Sequence, residues 1–146
     1  MTEPVFKSQA YFLVNQYISG IQCGIQAAHC AMELMHKEIE KDGYDFGSQE
    51  STFIKWLEED KTMIVLNGGS QRDLMDVLEL LKAHEWPYAY FNEEQDALNG
   101  ALTCVGFVLD AKAVETIQRL RTGELDPKER AVDALFVKVS QLGLAR

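Results

Sequence analysis

Four short runs of aromatic and branched apolar residues lie within the first 110 residues, and polar or glycine-containing residues follow each run. This pattern is typical of buried β-strands separated by turns or helices. The predicted strands cover residues 11–14, 62–66, 88–91 and 102–109. The last run is apolar almost throughout, so we expect it to be buried on both faces.

Between the first two strands, apolar residues recur at steps of four and three, which indicates a long helix. It begins after Ser19-Gly20 and ends near residues 41–43. The stripe predicted to pack on the sheet consists of Ile21, Ile25, Ala28, Met32 and Met35. A polar face with the same spacing carries Gln22, Gln26, His29 and Glu33.

Two helices are predicted on either side of the second strand. A short one around residues 53–59 carries Trp56, which we expect in the core. After the strand, Ser70 and Asp73 resemble a capping box. The helix that they open has a predicted buried stripe of Leu74, Val77, Leu78 and Leu81.

Two more helices are predicted after the fourth strand. Asp110 is a suitable N-cap for the first, whose apolar residues are Val114, Ile117 and Leu120. Asp126-Pro127 is predicted to be the N-cap and first-turn proline of the second. Its apolar stripe consists of Val132, Leu135, Val139 and Leu142.

The order of these elements predicts an α/β fold of three layers, in which a mixed four-stranded sheet has helices on both faces. Right-handed crossovers are expected to make the first three strands parallel. The short connection at Asn99-Gly100, a strong turn signal, makes the fourth strand antiparallel.

The charge of the chain is strongly acidic and unevenly distributed. The formal net charge is −9, with a net of −11 over residues 1–110 and +2 over residues 111–146. Affinity for nucleic-acid backbones depends largely on cations, so extensive tRNA contact is disfavoured. A small ligand is still compatible, because local groups matter more for it than net charge.

The remaining composition favours a cytoplasmic protein. No apolar run approaches the ~20 residues of a membrane helix, and no secretion signal is visible. Cys23, Cys30 and Cys104 show no Cys-x-x-Cys spacing, so we expect buried thiols and neither a metal nor a cofactor.

The long helix opens with a stretch, residues 21–29, that resembles the Gly-Lys-x-x-x-Gln-x-x-His signature of the peptidyl-tRNA hydrolase II family. Trp56 matches a Trp before the second strand, and Gly100-Ala101-Leu102-Thr103 matches a later Gly-x-x-Thr. The resemblance spans residues 10–112. It implies a peptidyl-tRNA hydrolase II-like domain over residues 1–112. Residues 113–146 are then a C-terminal helical extension, packed on the same domain or on a dimer partner.

The departures from this family concern the residues that its hydrolysis needs. The family's lysine falls on Gln22, its aspartate on Phe91 and its threonine on Gln95. A second alignment keeps the aspartate, at Asp96-Ala97, by deleting loop residues. Losing one donor from a catalytic site typically lowers the rate by ~10²–10³-fold, so we expect no catalysis of the family's kind.

The candidate site residues line the expected cleft beyond the first and last strands. The predicted ligand-binding residues are Gln22, Gln26, His29, Asn92, Glu94 and Thr103. If the chain is active, His29 and Asp96 are the catalytic candidates. The simpler interpretation is a solvated polar helix face beside an acidic surface loop.

Three functions remain open. The first is a non-catalytic protein that binds, and in one form sequesters, a nucleotide-like small molecule, as phage proteins do against nucleotide-signalling defences. The second is an active peptidyl-tRNA hydrolase with a rearranged site, and the third is an acidic module that binds a partner protein. Members of the family commonly dimerise, so the resemblance implies a homodimer. Such a dimer would bring the basic C-terminal residues to the other subunit's cleft, although most residues of this kind are only solvated surface: Arg119, Arg121, Lys128 and Arg130.

Overall fold

A four-stranded mixed sheet lies at the centre of the fold in the computed structural model, which describes residues 5–42, 51–93, 100–129 and 131–146. The strands are β1 (Gln9–Asn15), β2 (Thr62–Gly69), β3 (Tyr88–Asn92) and β4 (Leu102–Leu109). The helices are α1 (Ile21–Asp42), α2 (Thr52–Lys55), which continues as a π-helical turn (Trp56–Asp60), α3 (Gln71–Lys82), α4 (Ala111–Thr122) and α5 (Ala134–Ser140). None of the described helices is long and apolar enough to cross a membrane.

The strand order is β2-β1-β4-β3, with β1 parallel to β2 and β4 antiparallel to both of its neighbours. The first three strands therefore run in one direction and the fourth opposes them, as predicted. All eight residues of β4 are buried, because this strand is central and has helices on both of its faces.

Two apolar clusters lie on opposite faces of the sheet, which confirms the three-layer α/β prediction. One cluster joins the sheet to α3, α4 and α5, and the other joins it to α1, α2 and Trp56. Residues of the C-terminal helices, such as Val114, Ile117 and Leu135, belong to the same cluster as Leu13 and Phe107 of the sheet.

The predicted helix starts after β2 and β4 are confirmed. Ser70 accepts a hydrogen bond from the Asp73 amide, and the Asp73 carboxylate accepts one from the Ser70 amide, which completes the capping box. The Asp110 carboxylate accepts from the Ala113 amide at 2.9 Å. The predicted stripe of α3 is buried in full.

The predicted buried face of α1 is wrong except at Met35, which is partly buried against the cluster on that side of the sheet. Ile21 is 82% exposed and Met32 is 67% exposed, and Ile25 and Ala28 are also exposed. The residues that face the sheet are smaller on average: Cys23, Ala27, Cys30 and Leu34. The reason is a close approach at Gly106, where an added Cβ would lie 2.7 Å from the Phe12 ring and 2.9 Å from Cys30 Sγ.

The predicted start of the last helix is also wrong. Asp126 accepts from the Lys128 amide at 2.9 Å within a turn, and the helix begins only at Ala134. Its N-cap is Asp133, which accepts from the Leu135 amide at 2.8 Å. Both aspartates suit an N-cap, but only Asp133 is followed directly by a helix with buried apolar residues. These residues, Leu135 and Val139, are buried as predicted.

Candidate functional site

The side chain of Gln26 connects three elements of the fold. Its Nε2 donates to Glu93 Oε2 at 2.9 Å, and its Oε1 accepts from the Thr103 hydroxyl at 2.7 Å. Gln26 is only 5% exposed and Thr103 only 1% exposed. An ionised carboxylate only accepts hydrogen bonds. The amide nitrogen of Gln26 must therefore face Glu93, and its amide oxygen faces Thr103. The network therefore holds the Glu93 carboxylate against α1.

A β-bulge directs Thr103 towards α1. In the β3–β4 ladder Phe91 pairs with Cys104 and Asn92 pairs with Leu102, so Thr103 has no partner opposite it on β3. Simple alternation would place Thr103 on the face opposite to that of Cys104. The extra residue reverses this side-chain direction, which is a common use of bulges beside functional sites.

An aromatic pair lies beside this network. The His29 ring stacks on the Phe91 ring, with centroids 4.6 Å apart and 6° between the planes. His29 follows Gln26 by three residues, so the two side chains are neighbours on the helix surface. His29 is exposed, and Phe91 is partly buried against the cluster under α1.

The backbone after β3 fixes the position of Glu93. Its amide donates to the Ala101 carbonyl oxygen at 2.9 Å. Gly100, which precedes Ala101, has a φ of 72°, a conformation that non-glycine residues rarely adopt. Glu93 is thus held by both its backbone and its side chain.

The structure places the predicted site residues unequally. Gln26, His29 and Thr103 lie together. Gln22 and Asn92 are exposed, with no side-chain partner within the described parts of the chain. Glu94 and Asp96, together with Gln95, lie outside the described residues.

Two residues of this cluster were missed as site residues. The sequence indicates Phe91 only as the residue in place of the family's aspartate, and Glu93 only as one carboxylate of an acidic loop. Glu93 has a signal in the sequence, because it is the first carboxylate after the third strand.

No cation is paired with the Glu93 carboxylate within the described residues. Lys37, eight residues along α1 from His29, donates to the Tyr88 carbonyl oxygen at 2.8 Å and lies 3.5 Å from the centre of the Tyr88 ring. Burial lowers the pKa of Lys37, an effect that Glu38 opposes. The Lys37 ammonium therefore belongs to a separate contact with β3.

Two of the four basic residues at the C-terminal end have local partners in the described structure. Arg119 forms a salt bridge with Glu115 at 3.0 Å, and Arg121 lies 3.4 Å from the Val139 carbonyl oxygen. Arg130 lies outside the described residues. The homodimer stays a prediction.

The other candidate side chains are structural. Trp56 is buried and donates from Nε1 to the Thr62 carbonyl oxygen at 2.7 Å. All three cysteines are buried as free thiols, and a hydrogen bond with Cys30, followed by burial, raises the pKa of Cys104. In the described parts of the chain, no group of three His, Cys, Asp or Glu residues could hold a metal ion.

A small cavity of about 160 Å³ lies at the carboxyl ends of β1 and β2, beside the start of α1. Its lining includes the polar residues Asn15, Ser19 and Asn67. Small-molecule sites usually measure ~300–1,000 Å³, so this cavity has room for part of a ligand. Ligands of open α/β sheets favour this edge.

Comparison with known families places this site in context. The family model described as peptidyl-tRNA hydrolase PTH2 matches residues 10–122. The match includes β1 from Ala10 onwards, β2 to β4, the Gln26 network and all of α4, and ends ten residues beyond the boundary expected at residue 112. A search of curated proteins found no match.

Proposed function

Because the chain belongs to the peptidyl-tRNA hydrolase PTH2 family, we propose that it uses the family's cleft to bind a nucleotide-like small molecule without hydrolysing an ester. The observation that carries this proposal is the cluster around Gln26. It combines a fixed carboxylate, a buried hydroxyl and an exposed aromatic stack on one surface.

The chemistry of the cluster suits binding better than hydrolysis. Ester hydrolysis needs a positioned water and a donor for the developing oxyanion. The position that resembles the family's lysine holds Gln22, which is exposed and neutral at every pH of interest. The Thr103 hydroxyl donates its hydrogen bond to Gln26 Oε1, so this donor is not free to stabilise an oxyanion.

The same cluster offers two features that nucleotide sites use. An aromatic face stacks with a base of any sequence, and His29 presents such a face. A carboxylate accepts hydrogen bonds from base N–H groups, and Glu93 is held in place for this role. The ligand's sugar and phosphate would then extend along α1 past Gln22, which is about 10 Å from His29 along the helix axis.

The first turn of α1 is a suitable position for the ligand's anionic end. Amides in the first turn of a helix lack intrahelical partners and attract anions. The cavity beside Ser19 and Asn67 lies next to this turn and has room for a phosphate or a ribose.

Calorimetry tests the proposal directly. Titration of the protein with nucleoside monophosphates and cyclic dinucleotides should give saturable binding of at least one ligand. The His29→Ala variant should weaken that binding. Flat titrations across the whole panel would contradict the proposal.

An active hydrolase is the second candidate, and the Glu93 carboxylate, which Gln26 connects to Thr103, favours it. A carboxylate in this place could orient a water even though Phe91 stands where the family's aspartate is expected. A peptidyl-tRNA release assay separates the two functions. Release that is lost in both Glu93→Gln and His29→Ala would support hydrolysis, and no release by the wild type would support binding alone.

A further inference from the structure

The Glu93 carboxylate has most of its acceptor capacity free. An ionised carboxylate offers about four lone-pair sites, and in the described structure Glu93 uses one of them for Gln26. Its backbone is fixed by Ala101, and Gln26 is fixed in turn by Thr103. The free sites therefore have a defined direction before any ligand arrives, which reduces the entropy lost on binding.

The His29 ring is open on the side away from Phe91. One of its faces is covered by Phe91, while the residue as a whole is exposed. A planar base can stack on the open face. Gln26 and His29 are three positions apart on α1 and are therefore neighbours on its surface. Because Glu93 is hydrogen-bonded to Gln26, its carboxylate is on the same side of the helix as the His29 ring.

We propose, on the basis of the nucleotide-binding function above, that this site selects guanine. A pure acceptor matches a base edge that carries adjacent donors. The Watson–Crick edge of guanine carries two neighbouring donors, N1–H and the 2-amino group. A carboxylate can accept from both at once, with one oxygen for each donor.

The other bases match this acceptor less well. Adenine has an amino group beside the N1 acceptor, and cytosine has an amino group beside the N3 acceptor, so part of each edge repels a carboxylate. Uracil has one N–H between two carbonyl oxygens. Hypoxanthine has the N1–H of guanine but lacks the 2-amino group, so it is the most precise comparison.

The test is calorimetry of the full chain with GMP, IMP and AMP at pH 7. GMP should bind more tightly than IMP by roughly 10-fold, the factor that one hydrogen bond to a charged group typically contributes. AMP should bind more weakly than both. Glu93→Gln should remove the difference between GMP and IMP, because an amide accepts through only one atom.

The matched control is Glu85→Gln, which makes the same charge change at an exposed position just before the start of β3, at the end of that strand opposite to Glu93. This variant should keep the full preference for GMP. Thermal unfolding of both variants checks that they fold. If a variant does not fold, the ratio of GMP to IMP affinity in the wild type still tests the preference for guanine.

Two contrary results are distinguishable. Binding of AMP as tight as that of GMP, or a GMP preference that survives Glu93→Gln, would overturn the guanine inference and leave nucleotide binding intact. No binding of any nucleotide would overturn both.

Discussion

The His29 and Phe91 rings lie parallel, with their centroids 4.6 Å apart and 6° between their planes. One ring belongs to α1 and the other to the edge strand β3, so the stack joins the two elements at the candidate site. Phe91 covers one face of the imidazole, and a flat ligand can stack on the other face. The pair can thus serve as a stacking platform built from two separate elements.

His29→Ala should weaken nucleotide binding. Stacking of a base on an aromatic side chain contributes ~1–3 kcal/mol, so the dissociation constant should rise by roughly 5- to 150-fold. Calorimetry with GMP measures this change. His36→Ala is the control, because His36 is also exposed on α1 and lies 3.5 Å from Glu40 of the same helix, away from the Gln26 network. Equal losses in the two variants would show that the platform is not used.

The hydrogen bond between Gln26 and Thr103 should appear as a coupling energy. Gln26→Leu and Thr103→Val should each lower the free energy of unfolding by ~1–3 kcal/mol, because each leaves a buried polar partner unpaired. The double variant should lose less than the sum, with a coupling of ~0.5–3 kcal/mol. Urea unfolding measures all four proteins.

Thr116→Val provides the matching control cycle with Gln26→Leu. The Thr116 hydroxyl is bonded within its own helix, to the Lys112 carbonyl oxygen. These two changes should be additive. Additivity in the Gln26 and Thr103 pair as well would contradict the network.

The helices and strands could be predicted from sequence because their signals are local. The capping box at Ser70, the cap at Asp110 and the fully buried β4 all follow from residues that are adjacent in the chain. The buried face of α1 could not be predicted in this way. Two stripes of α1 have helical spacing, and the close approach at Gly106 selects the one with smaller residues on average.

The site was predicted only in part for the same kind of reason. The spacing of Gln26 and His29 is visible in the sequence, and the Gly-x-x-Thr resemblance indicates Thr103. The bulge that turns Thr103 towards α1 depends on the pairing of β3 with β4. A shift of one residue changes which side chains face the helix, so the position of Glu93 as the first carboxylate after the third strand does not by itself show that its side chain faces α1.

Gly106→Ala should destabilise the protein. Its Cβ would lie 2.7 Å from the Phe12 ring, in the layer between β4 and α1, and overpacking of this kind typically costs about 1–3 kcal/mol. Gly24→Ala is the control within α1, where an added Cβ meets nothing within 4 Å. This second change should stabilise by ~0.5–1 kcal/mol, because alanine favours helix interiors. Chemical denaturation measures both, and a neutral Gly106→Ala would contradict the close approach.

Stability should fall at alkaline pH through Tyr11. Burial raises the pKa of Tyr11 to about 12, and the charge of Arg121 opposes this rise. The pKa of a tyrosine in the unfolded chain is about 10. Below pH 10 the phenol is neutral in both states, so its burial makes its full contribution to the free energy of unfolding. It is lost as the pH rises from there towards 12, at up to about 1.4 kcal/mol per pH unit.

Tyr11→Phe isolates this contribution from the other groups that titrate in the same range. The variant loses the hydrogen bond to Gln9 Oε1 but has no phenol to ionise. The difference in unfolding free energy between wild type and variant should shrink or reverse between pH 10 and 12. A constant difference over this range would show that Tyr11 does not titrate on unfolding.

Salt should strengthen nucleotide binding slightly rather than weaken it. The chain carries a net charge of −9, no cation is paired with Glu93 within the described residues, and a nucleotide is an anion. The long-range interaction is therefore repulsive, and it is screened as the Debye length falls from ~30 Å at 0.01 M salt to ~8 Å at 0.15 M. Calorimetry with GMP at the two salt concentrations should show an affinity rise of up to about threefold.

Contact of the nucleotide with several lysines or arginines predicts the opposite effect of salt, because counterion release makes affinity fall as the salt concentration rises. A steep fall would thus reveal basic contacts beyond Arg146, which lines the small cavity beside α1, and would contradict binding that rests mainly on Glu93 and His29.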